Sequence, residues 1–462
     1  MRLFKNIFNL VIFLNSLLLT DFKLLFVNVH FRHGARGSLF LIDKEGNDML
    51  LHKWKKRGML TPKGKRQVFL NGFKHREKYS NFLSKEYIED EIKAYSTDSY
   101  RAISSLECYL NGLYDNKDSD ENNINDEITV YPPGNITENM KNKVNQLGIY
   151  AIPKDNHIIP INIFQRSEHS FVLHEPGKIS DCQSIQDIRK KILSEQKYKD
   201  ILNEFYMRYG EKINNIYKSR NHTNFELKED KIHLLCDSLY SDLTDNRDMS
   251  VLENEGIKAD EINEVCMNIL SIVQKDIVAG NKDIVMMSQT PPIKRLMKWM
   301  DERIELDKKG QTDAIIAGSP KFTMWSGHDS SIASFQMFMN TLFGTKWSFP
   351  AFSSSVIIEL HKNYDAIKDN INQSSYDFLY FVNDELLLKI DYYKFKNKVN
   401  EYLWTEEEIE NFCDFSIINT EKMNKIIKRY KWIIISLVLA FCISILFNIR
   451  YFFKNNGKQK EN

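Results

Sequence analysis

Three short stretches of this chain place arginine, histidine and aspartate in an order that suits phosphoryl transfer. The first, residues 32–36, reads Arg-His-Gly-Ala-Arg and follows an apolar run that predicts a buried parallel strand. The guanidinium groups of Arg32 and Arg36 can match phosphate oxygens, and Gly34 allows a close backbone approach or a positive φ. Neighbouring cations favour the neutral imidazole of His33, which is its attacking form. We therefore predict His33 as the nucleophile and the two arginines as phosphate ligands.

The second stretch, residues 326–330, reads Ser-Gly-His-Asp-Ser and begins where another strand is predicted to end. His328 can donate to a phosphate oxygen, and Asp329 can protonate the departing alkoxide. A bound phosphate dianion should raise the pKa of Asp329 and keep its carboxyl protonated in mildly acidic conditions. The third stretch, residues 96–101, follows a strand and opens a helix, so Arg101 is a candidate third phosphate ligand beside the N–H donors of that helix N-terminus.

These stretches resemble the histidine acid phosphatases, the family in branch 2 of the histidine phosphatase superfamily that contains the prostatic and lysosomal acid phosphatases. The RHGxR motif of the family matches residues 32–36, its STDxxR segment matches residues 96–101, and its catalytic histidine-aspartate pair matches His328 and Asp329. The resemblance extends over residues 26–413 and is thin across the helical middle of the chain. One departure is Ser38, which stands where the family usually has proline.

The resemblance implies an acid phosphatase that hydrolyses phosphate monoesters in two steps. In this family mechanism His33 forms a covalent phosphohistidine and Asp329 acts as the general acid. The phosphoryl oxygens are held by four side chains, those of Arg32, Arg36, Arg101 and His328. The resemblance implies no metal and no other cofactor.

Other functions stay open on the residues alone. A catalytically inactive membrane receptor or surface protein could retain the fold, although every family active-site position carries the family residue. A phytase-like hydrolase of inositol phosphates needs an electropositive pocket, and the helical middle of the chain is not strongly basic. A phosphoglycerate-mutase-like enzyme fits less well, because that branch places glutamate or glutamine soon after its RHG and this chain has Ala35.

The three stretches need a scaffold that brings strand ends together. The order strand, loop, helix, strand, helix over residues 23–114 predicts an α/β fold with a mostly parallel sheet flanked by helices. Ligand sites of open α/β sheets form at the carboxyl ends of the strands, where all three stretches begin. Later in the chain, residues 378–382 and 386–390 predict a hairpin across Asn383 and Asp384.

The middle of the chain differs in kind from the predicted sheet. Residues 167–282 carry helical periodicity and almost no strand signal, so we predict a mainly helical cap inserted into the phosphatase core. The core then consists of two segments, residues 21–166 and 283–424.

Both chain ends predict a membrane-anchored protein of the secretory pathway. Residues 1–20 carry Arg2 and Lys5 before an apolar run and predict a signal peptide. Residues 425–453 contain an apolar run with basic flanks and predict one transmembrane helix, followed by a short cytoplasmic tail at residues 454–462. We expect a single-pass type I membrane protein of a lysosome-like compartment or the cell surface.

Composition limits the partners. The chain has 63 basic and 62 acidic residues and a net charge of +1, so no global charge attracts it to nucleic acid. Glycosylation sequons begin at Asn135, Asn221 and Asn372 and agree with a secretory route. Six cysteines without a CxxC spacing predict one or two disulfides of unreadable pairing and no zinc site. The expected partner is a small phosphate monoester, and a homodimer is possible by resemblance.

Overall fold

A computed structural model describes residues 22–39, 57–114, 138–147, 159–164, 182–219, 226–363 and 376–413. The predicted signal peptide, transmembrane helix and cytoplasmic tail lie outside these residues, as do the sequons at Asn135, Asn221 and Asn372. These features stay predictions. Within the described ranges, no helix combines the length and the apolar character that crossing a bilayer requires.

In the part of the chain that the structure describes, seven strands form one sheet. They are β1 (Phe22–Arg32), β2 (Ile92–Thr97), β3 (Asn162–Phe164), β4 (Phe322–Gly327), β5 (Ser355–Asn363), β6 (Tyr376–Val382) and β7 (Glu385–Asp391). Their order across the sheet is β3-β2-β4-β1-β5-β6-β7. The pairs from β3 to β1 are parallel, and the pairs from β1 to β7 are antiparallel.

The sheet is therefore mixed, and the prediction of a mostly parallel sheet is wrong for the pairs β1–β5 and β5–β6. Strand β5 begins with a buried and mostly apolar run of the kind that parallel strands also have, so its sequence does not encode its direction. The predicted hairpin is confirmed, because β6 and β7 pair around Asn383 and Asp384. Both turn residues have positive φ, at 47° and 69°, as a two-residue turn of type I′ requires.

Helices account for most of the remaining described residues. They are α1 (Pro62–Lys78), α2 (Tyr100–Leu113), α3 (Glu138–Leu147), α4 (Gln183–Leu193), α5 (Gln196–Phe205), α6 (Glu211–Ser219), α7 (Ile232–Thr244), α8 (Ser250–Asn254), α9 (Ala259–Ile272), α10 (Lys282–Lys308), α11 (Asp329–Phe343), α12 (Tyr392–Asn400) and α13 (Glu406–Cys413). Short π-helical turns follow α5 at Tyr206–Gly210 and α9 at Val273–Val278.

Strand β1 is buried on both faces, as the apolar run at its centre predicts. On one face Phe31 stacks on Tyr109 of α2, with ring centroids 4.8 Å apart. On the other face Phe26 packs against Trp299 of α10, with ring centroids 6.3 Å apart. Each such apolar side chain contributes about 1.5–3 kcal/mol when it is fully buried. The end of β1, where the first stretch begins, is therefore held rigidly between two helical layers.

Helices α1 and α2 approach each other closely because glycines face the partner backbone. A Cβ atom on Gly72 would lie 2.0 Å from the carbonyl oxygen of Tyr109, and one on Gly112 would lie 2.1 Å from that of Phe69. Neither position has room for a side chain. Because α1 and α2 follow β1 and β2 in the chain, this contact fixes the starts of the two helices relative to each other.

The helices from α5 to α9 enclose a second apolar core. The Cys236–Cys266 disulfide joins α7 to α9 in this core. The chain divides into two compact units, Met1–Gly177 with Ile188–Trp404, and Lys178–Asp187 with Thr405–Asn462. The sheet and the second core both belong to the first unit.

The second unit contains another disulfide, Cys182–Cys413. Its Ser184 hydroxyl also donates to the carbonyl oxygen of Phe412 at 2.6 Å. Cys108, in the first unit, has no disulfide partner among the described cysteines. The predicted domain boundaries at residues 166 and 282 stay predictions.

Substituting Gly72 tests the close packing of α1 and α2. We expect Gly72→Ala to lower the free energy of unfolding by about 1–3 kcal/mol, because the added methyl group forces the two helices apart. Leu70→Ala is the control on the same helix, where the side chain is 52% exposed, and should change the free energy by about 0.5 kcal/mol or less. Denaturant unfolding measures both. A Gly72→Ala variant as stable as the wild type would contradict this packing.

Candidate active site

Parallel pairing brings the three predicted stretches to one edge of the sheet. Strand β4 lies between β1 and β2, and Gly327 at its end is opposite Arg32 at the end of β1. The backbone N–H of His33 donates to the carbonyl oxygen of Gly327 at 3.0 Å. The rings of His33 and His328 follow, with centroids 5.4 Å apart. The loops after all three strands leave from this edge, so the structure brings the predicted site residues together.

Gly34 is required by a close approach and not by a positive φ. A Cβ atom at this position would lie 2.2 Å from the carbonyl oxygen of Gly64, in the first turn of α1. The Gly34 N–H donates to the Ser105 hydroxyl at 3.1 Å, and the next N–H, of Ala35, donates to the Gln67 side chain at 3.0 Å. Helices α1 and α2 thus hold the loop that carries His33 from two sides.

His33 is buried, and its ring is held in one tautomer. Its Nδ1 lies 2.9 Å from the carbonyl oxygen of Gly34, which can only accept, so Nδ1 carries the proton and Nε2 keeps its lone pair. Burial lowers the pKa of His33 well below its ordinary value, and the charges of Arg101 and Arg32 lower it further. The ring is therefore neutral in mildly acidic solution, and its free nitrogen can attack an electrophile.

His328 is held by hydrogen bonds at both ring nitrogens. Arg101 Nη2 lies 3.1 Å from Nδ1, which must accept because a guanidinium only donates. Nε2 then carries the proton and donates to the Thr97 hydroxyl at 3.0 Å. Burial lowers the pKa of His328 well below its ordinary value, and Arg101 adds to this effect. His328 must exchange one of these hydrogen bonds before it can donate to a phosphate oxygen.

Arg32 is almost completely enclosed. Its Nη1 donates to the carbonyl oxygen of Pro350 at 2.8 Å, and its Nη2 pairs with Asp329 Oδ2 at 2.8 Å. The guanidinium carbon lies 4.2 Å from the centroid of the Phe352 ring, close enough for a cation–π contact. Its buried Nε has no hydrogen-bond partner within the described ranges. A buried donor of this kind is costly unless an acceptor reaches it.

The surroundings of Asp329 favour its ionised form. Burial alone would raise the pKa of its carboxyl, but the charges of Arg32 and Arg36 outweigh burial and lower the pKa below its ordinary value. Its Oδ1 also accepts the backbone N–H of Ser330 at 2.9 Å, in the first turn of α11. The predicted protonated state of Asp329 therefore requires a further negative charge beside it.

Arg36 makes an ion pair that the sequence analysis missed. Its Nη2 lies 2.8 Å from Asp237 Oδ1 and its Nη1 lies 3.2 Å from Asp237 Oδ2, with both side chains nearly buried. Its Nη1 also donates to the Ser241 hydroxyl at 3.2 Å. Asp237 and Ser241 are one turn apart on α7 and so share a face. That spacing is visible in the sequence, but nothing there connects this face to Arg36.

Known proteins resemble parts of this chain in sequence. The model of the histidine phosphatase superfamily (branch 2) matches residues 43–251. The testicular acid phosphatases of Mus musculus and Homo sapiens are 36% and 35% identical to this chain over 98 residues, or 21% of this chain. The match spans 23% of the length of either relative.

Two solved phytases share the overall fold with this chain. The Hafnia alvei phytase in complex with myo-inositol hexakis sulphate superimposes with a TM-score of 0.52 at 13% identity, over 83% of this chain and 98% of that chain. The Citrobacter braakii phytase superimposes with a TM-score of 0.51 at 14% identity, over the same shares. The chain is therefore similar to the histidine phosphatase superfamily, branch 2, in sequence over residues 43–251, and it shares the fold of these phytases.

The two buried histidines predict how stability depends on pH. The folded protein keeps both rings neutral, whereas the unfolded chain protonates them below a pKa of 6.5. As pH falls below that value, each histidine should therefore remove about 1.4 kcal/mol of unfolding free energy per pH unit. Denaturant unfolding between pH 7 and pH 5 measures this slope for the wild type and for His328→Gln. The slope of the variant should be smaller by the contribution of one histidine. An unchanged slope would contradict a neutral His328 ring in the folded protein.

Proposed function

We propose that this chain is an acid phosphatase that hydrolyses phosphate monoesters through a covalent phosphohistidine on His33. The observation that carries the proposal is the neutral ring of His33, whose Nε2 lone pair is free while its Nδ1 donates to the Gly34 carbonyl oxygen. Such a nitrogen is a competent nucleophile in mildly acidic solution, where exposed histidines are protonated.

The arginines supply the sites for the phosphoryl oxygens. The Nε atoms of Arg32 and Arg36 are buried and have no partner among the residues that the structure describes. A phosphoryl group beside His33 offers acceptors for both, and Arg101 adds a third charge at the same edge of the sheet. Donors fixed in advance at low dielectric stabilise the charge of the transferring group without reorganisation.

In the proposed first step, His33 Nε2 attacks phosphorus as the ester P–O bond breaks. Asp329 gives its proton to the leaving oxygen, which departs as a neutral alcohol. The dianion bound beside Asp329 opposes the charge of Arg32 and raises the pKa of the carboxyl, so the acid forms only in the complex. The ion pair between Arg32 and Asp329 then weakens because the carboxyl is neutral.

In the proposed second step, water attacks phosphorus and the P–N bond to His33 breaks. The Asp329 carboxylate, left without its proton by the first step, accepts a proton from this water. Asp329 then gives this proton to the departing phosphate or to the solvent, inorganic phosphate is released, and His33 and Asp329 return to their starting states. The same carboxyl therefore serves first as acid and then as base, because the second step is the reverse of the first with water in the place of the alcohol.

The substrate class distinguishes this proposal from a phytase-like function. The fold is shared with phytases, but the described helical region presents the acidic Asp237 to Arg36 of the site. A substrate with a single phosphoryl group suits this balance of charges better than a densely phosphorylated inositol ring. An inactive receptor with the same fold is a further outcome that the assays below would reveal.

The cellular location and membrane topology of the protein are also proposals. We propose a signal peptide at residues 1–20, one membrane span within residues 425–453 and a cytoplasmic tail at residues 454–462. Their composition supports these assignments. The catalytic body would then face the lumen of a lysosome-like compartment or the cell exterior, where disulfides such as Cys236–Cys266 persist.

Substituting the nucleophile tests the proposed reaction. We expect His33→Ala to lower kcat for nitrophenyl phosphate at pH 5 by about 10³-fold or more, because no phosphoenzyme can form. Rapid alkaline quench after mixing with labelled substrate should trap a phosphohistidine in the wild type and none in the variant, because the P–N bond is stable in base. His361→Ala, on β5 away from the site, is the matched control and should retain activity. A folded wild type without activity at any pH would favour the receptor function.

Substituting Asp329 separates the general acid from a purely electrostatic role. Asp329→Asn removes the proton donor, so we expect kcat to fall far more for an alkyl phosphate, whose leaving group is a strong base, than for nitrophenyl phosphate. The ratio of the two rates should change by about 10²-fold. Equal losses for both substrates would show that Asp329 is not the acid.

A further inference from the structure

We infer that Asp237 is a positioning residue for Arg36, through which helix α7 sets the affinity of the site for a phosphoryl group. The inference rests on the proposed function, since it assigns Arg36 to phosphate. Asp237 lies outside the motifs that define the predicted site, on a helix of the second apolar core. It reaches Arg36 across 201 positions of sequence.

The geometry leaves one donor of Arg36 without a partner among the described residues. Asp237 engages the terminal edge of the guanidinium, at Nη1 and Nη2, while the buried Nε has no partner among the described residues. A guanidinium is planar and its donors point in fixed directions. A carboxylate that holds the terminal edge therefore also fixes the direction in which Nε–H points.

Arg32 shows the same arrangement with different partners. Its terminal nitrogens are held by the Pro350 carbonyl oxygen and by Asp329, and its Nε is also left over. Both arginines of the first stretch thus combine a fixed terminal edge with a buried inner donor that has no partner among the described residues. A phosphoryl group that displaces the atoms covering these inner donors can accept from them while the two carboxylates stay in place.

Helix α7 is itself fixed in the position that this role requires. The residue before Asp237 is Cys236, which forms the disulfide with Cys266. On the same face, the ring of Tyr240 stacks on Phe352 with centroids 4.7 Å apart, and its hydroxyl accepts the Phe352 backbone N–H at 3.1 Å. Phe352 in turn lies 5.6 Å from the guanidinium carbon of Arg36.

A carboxylate beside a phosphate ligand could act in the opposite sense, by competing with phosphate for Arg36. The two roles predict opposite effects on affinity. If Asp237 positions Arg36, its removal weakens phosphate binding. If Asp237 competes, its removal strengthens binding, because an opposing negative charge disappears. Binding of inorganic phosphate therefore separates the two roles, whether or not an ester is turned over.

The experiment measures the Kd of inorganic phosphate by calorimetry on the full-length protein at pH 5. We expect Asp237→Asn to raise Kd by about 10-fold or more, because the amide cannot hold both terminal nitrogens of Arg36. Asp307→Asn is the matched control, since Asp307 is also a buried aspartate with a cationic partner, Lys362 at 2.8 Å. The control should leave Kd within about 2-fold of the wild type.

A double-mutant cycle with Arg36→Ala tests whether the effect passes through Arg36. In the Arg36→Ala background, Asp237→Asn should cause no further rise in Kd, because nothing remains to be positioned. Additive effects, an unchanged Kd or a lower Kd for Asp237→Asn would each overturn the inference. If Asp237→Asn does not fold, Ser241→Ala removes one acceptor of Arg36 Nη1 and should raise Kd by about 3-fold, and an unchanged value overturns the inference.

These outcomes are separable from failure of the proposed function. A wild type that binds phosphate but hydrolyses no ester would refute the acid phosphatase proposal while the cycle still measures the role of Asp237. A wild type that hydrolyses esters, with an Asp237→Asn variant of unchanged Kd, would refute only the role of Asp237.

Discussion

The balance of charge among buried side chains is the constraint on which the rest of this structure depends. Three arginines lie at one sheet edge around His33, and taking each guanidinium out of water is costly unless partners replace the water. Asp329 provides that partner for Arg32, Asp237 provides it for Arg36, and a ring nitrogen of His328 accepts from Arg101. This balance permits an uncharged imidazole to remain among the cations with one nitrogen unused.

The mixed sheet is what places these partners. The parallel half brings the ends of β1, β2 and β4 to one edge, and with them the three motif stretches. The antiparallel pairing of β5 with β1 also brings residues to this edge, because β5 begins where β1 ends. The segment before β5 therefore lies at the site and contributes the Pro350 carbonyl oxygen and the Phe352 ring that enclose Arg32. A parallel β5 would start at the opposite edge.

The sequence predicts the parts of this site that are local. A strand, a loop and a helix with a fixed motif locate His33, Arg101 and Asp329, and the Asn383-Asp384 turn locates the hairpin. The direction of a strand within its sheet and the pairing of residues that are distant in sequence are not encoded locally. For this reason the direction of β5 and the cysteine pairing could not be predicted. Asp237 was missed for the same reason, because only the packing of α7 against the loop after β1 distinguishes it from other helical carboxylates.

The ionised Asp329 of the unliganded site has a consequence for the proton inventory of the proposed reaction. The pKa of Asp329 is lowered in the unliganded site, so the proton that departs with the alcohol is taken up when the ester binds, either on the ester itself or from the solvent. The combination that reacts therefore has the composition of the ester monoanion plus the anionic protein. Phosphate monoesters lose their second proton near pH 6, so the monoanion becomes scarce above about that pH. On this account, a preference for acid would be a property of the substrate's ionisation as much as of any side chain.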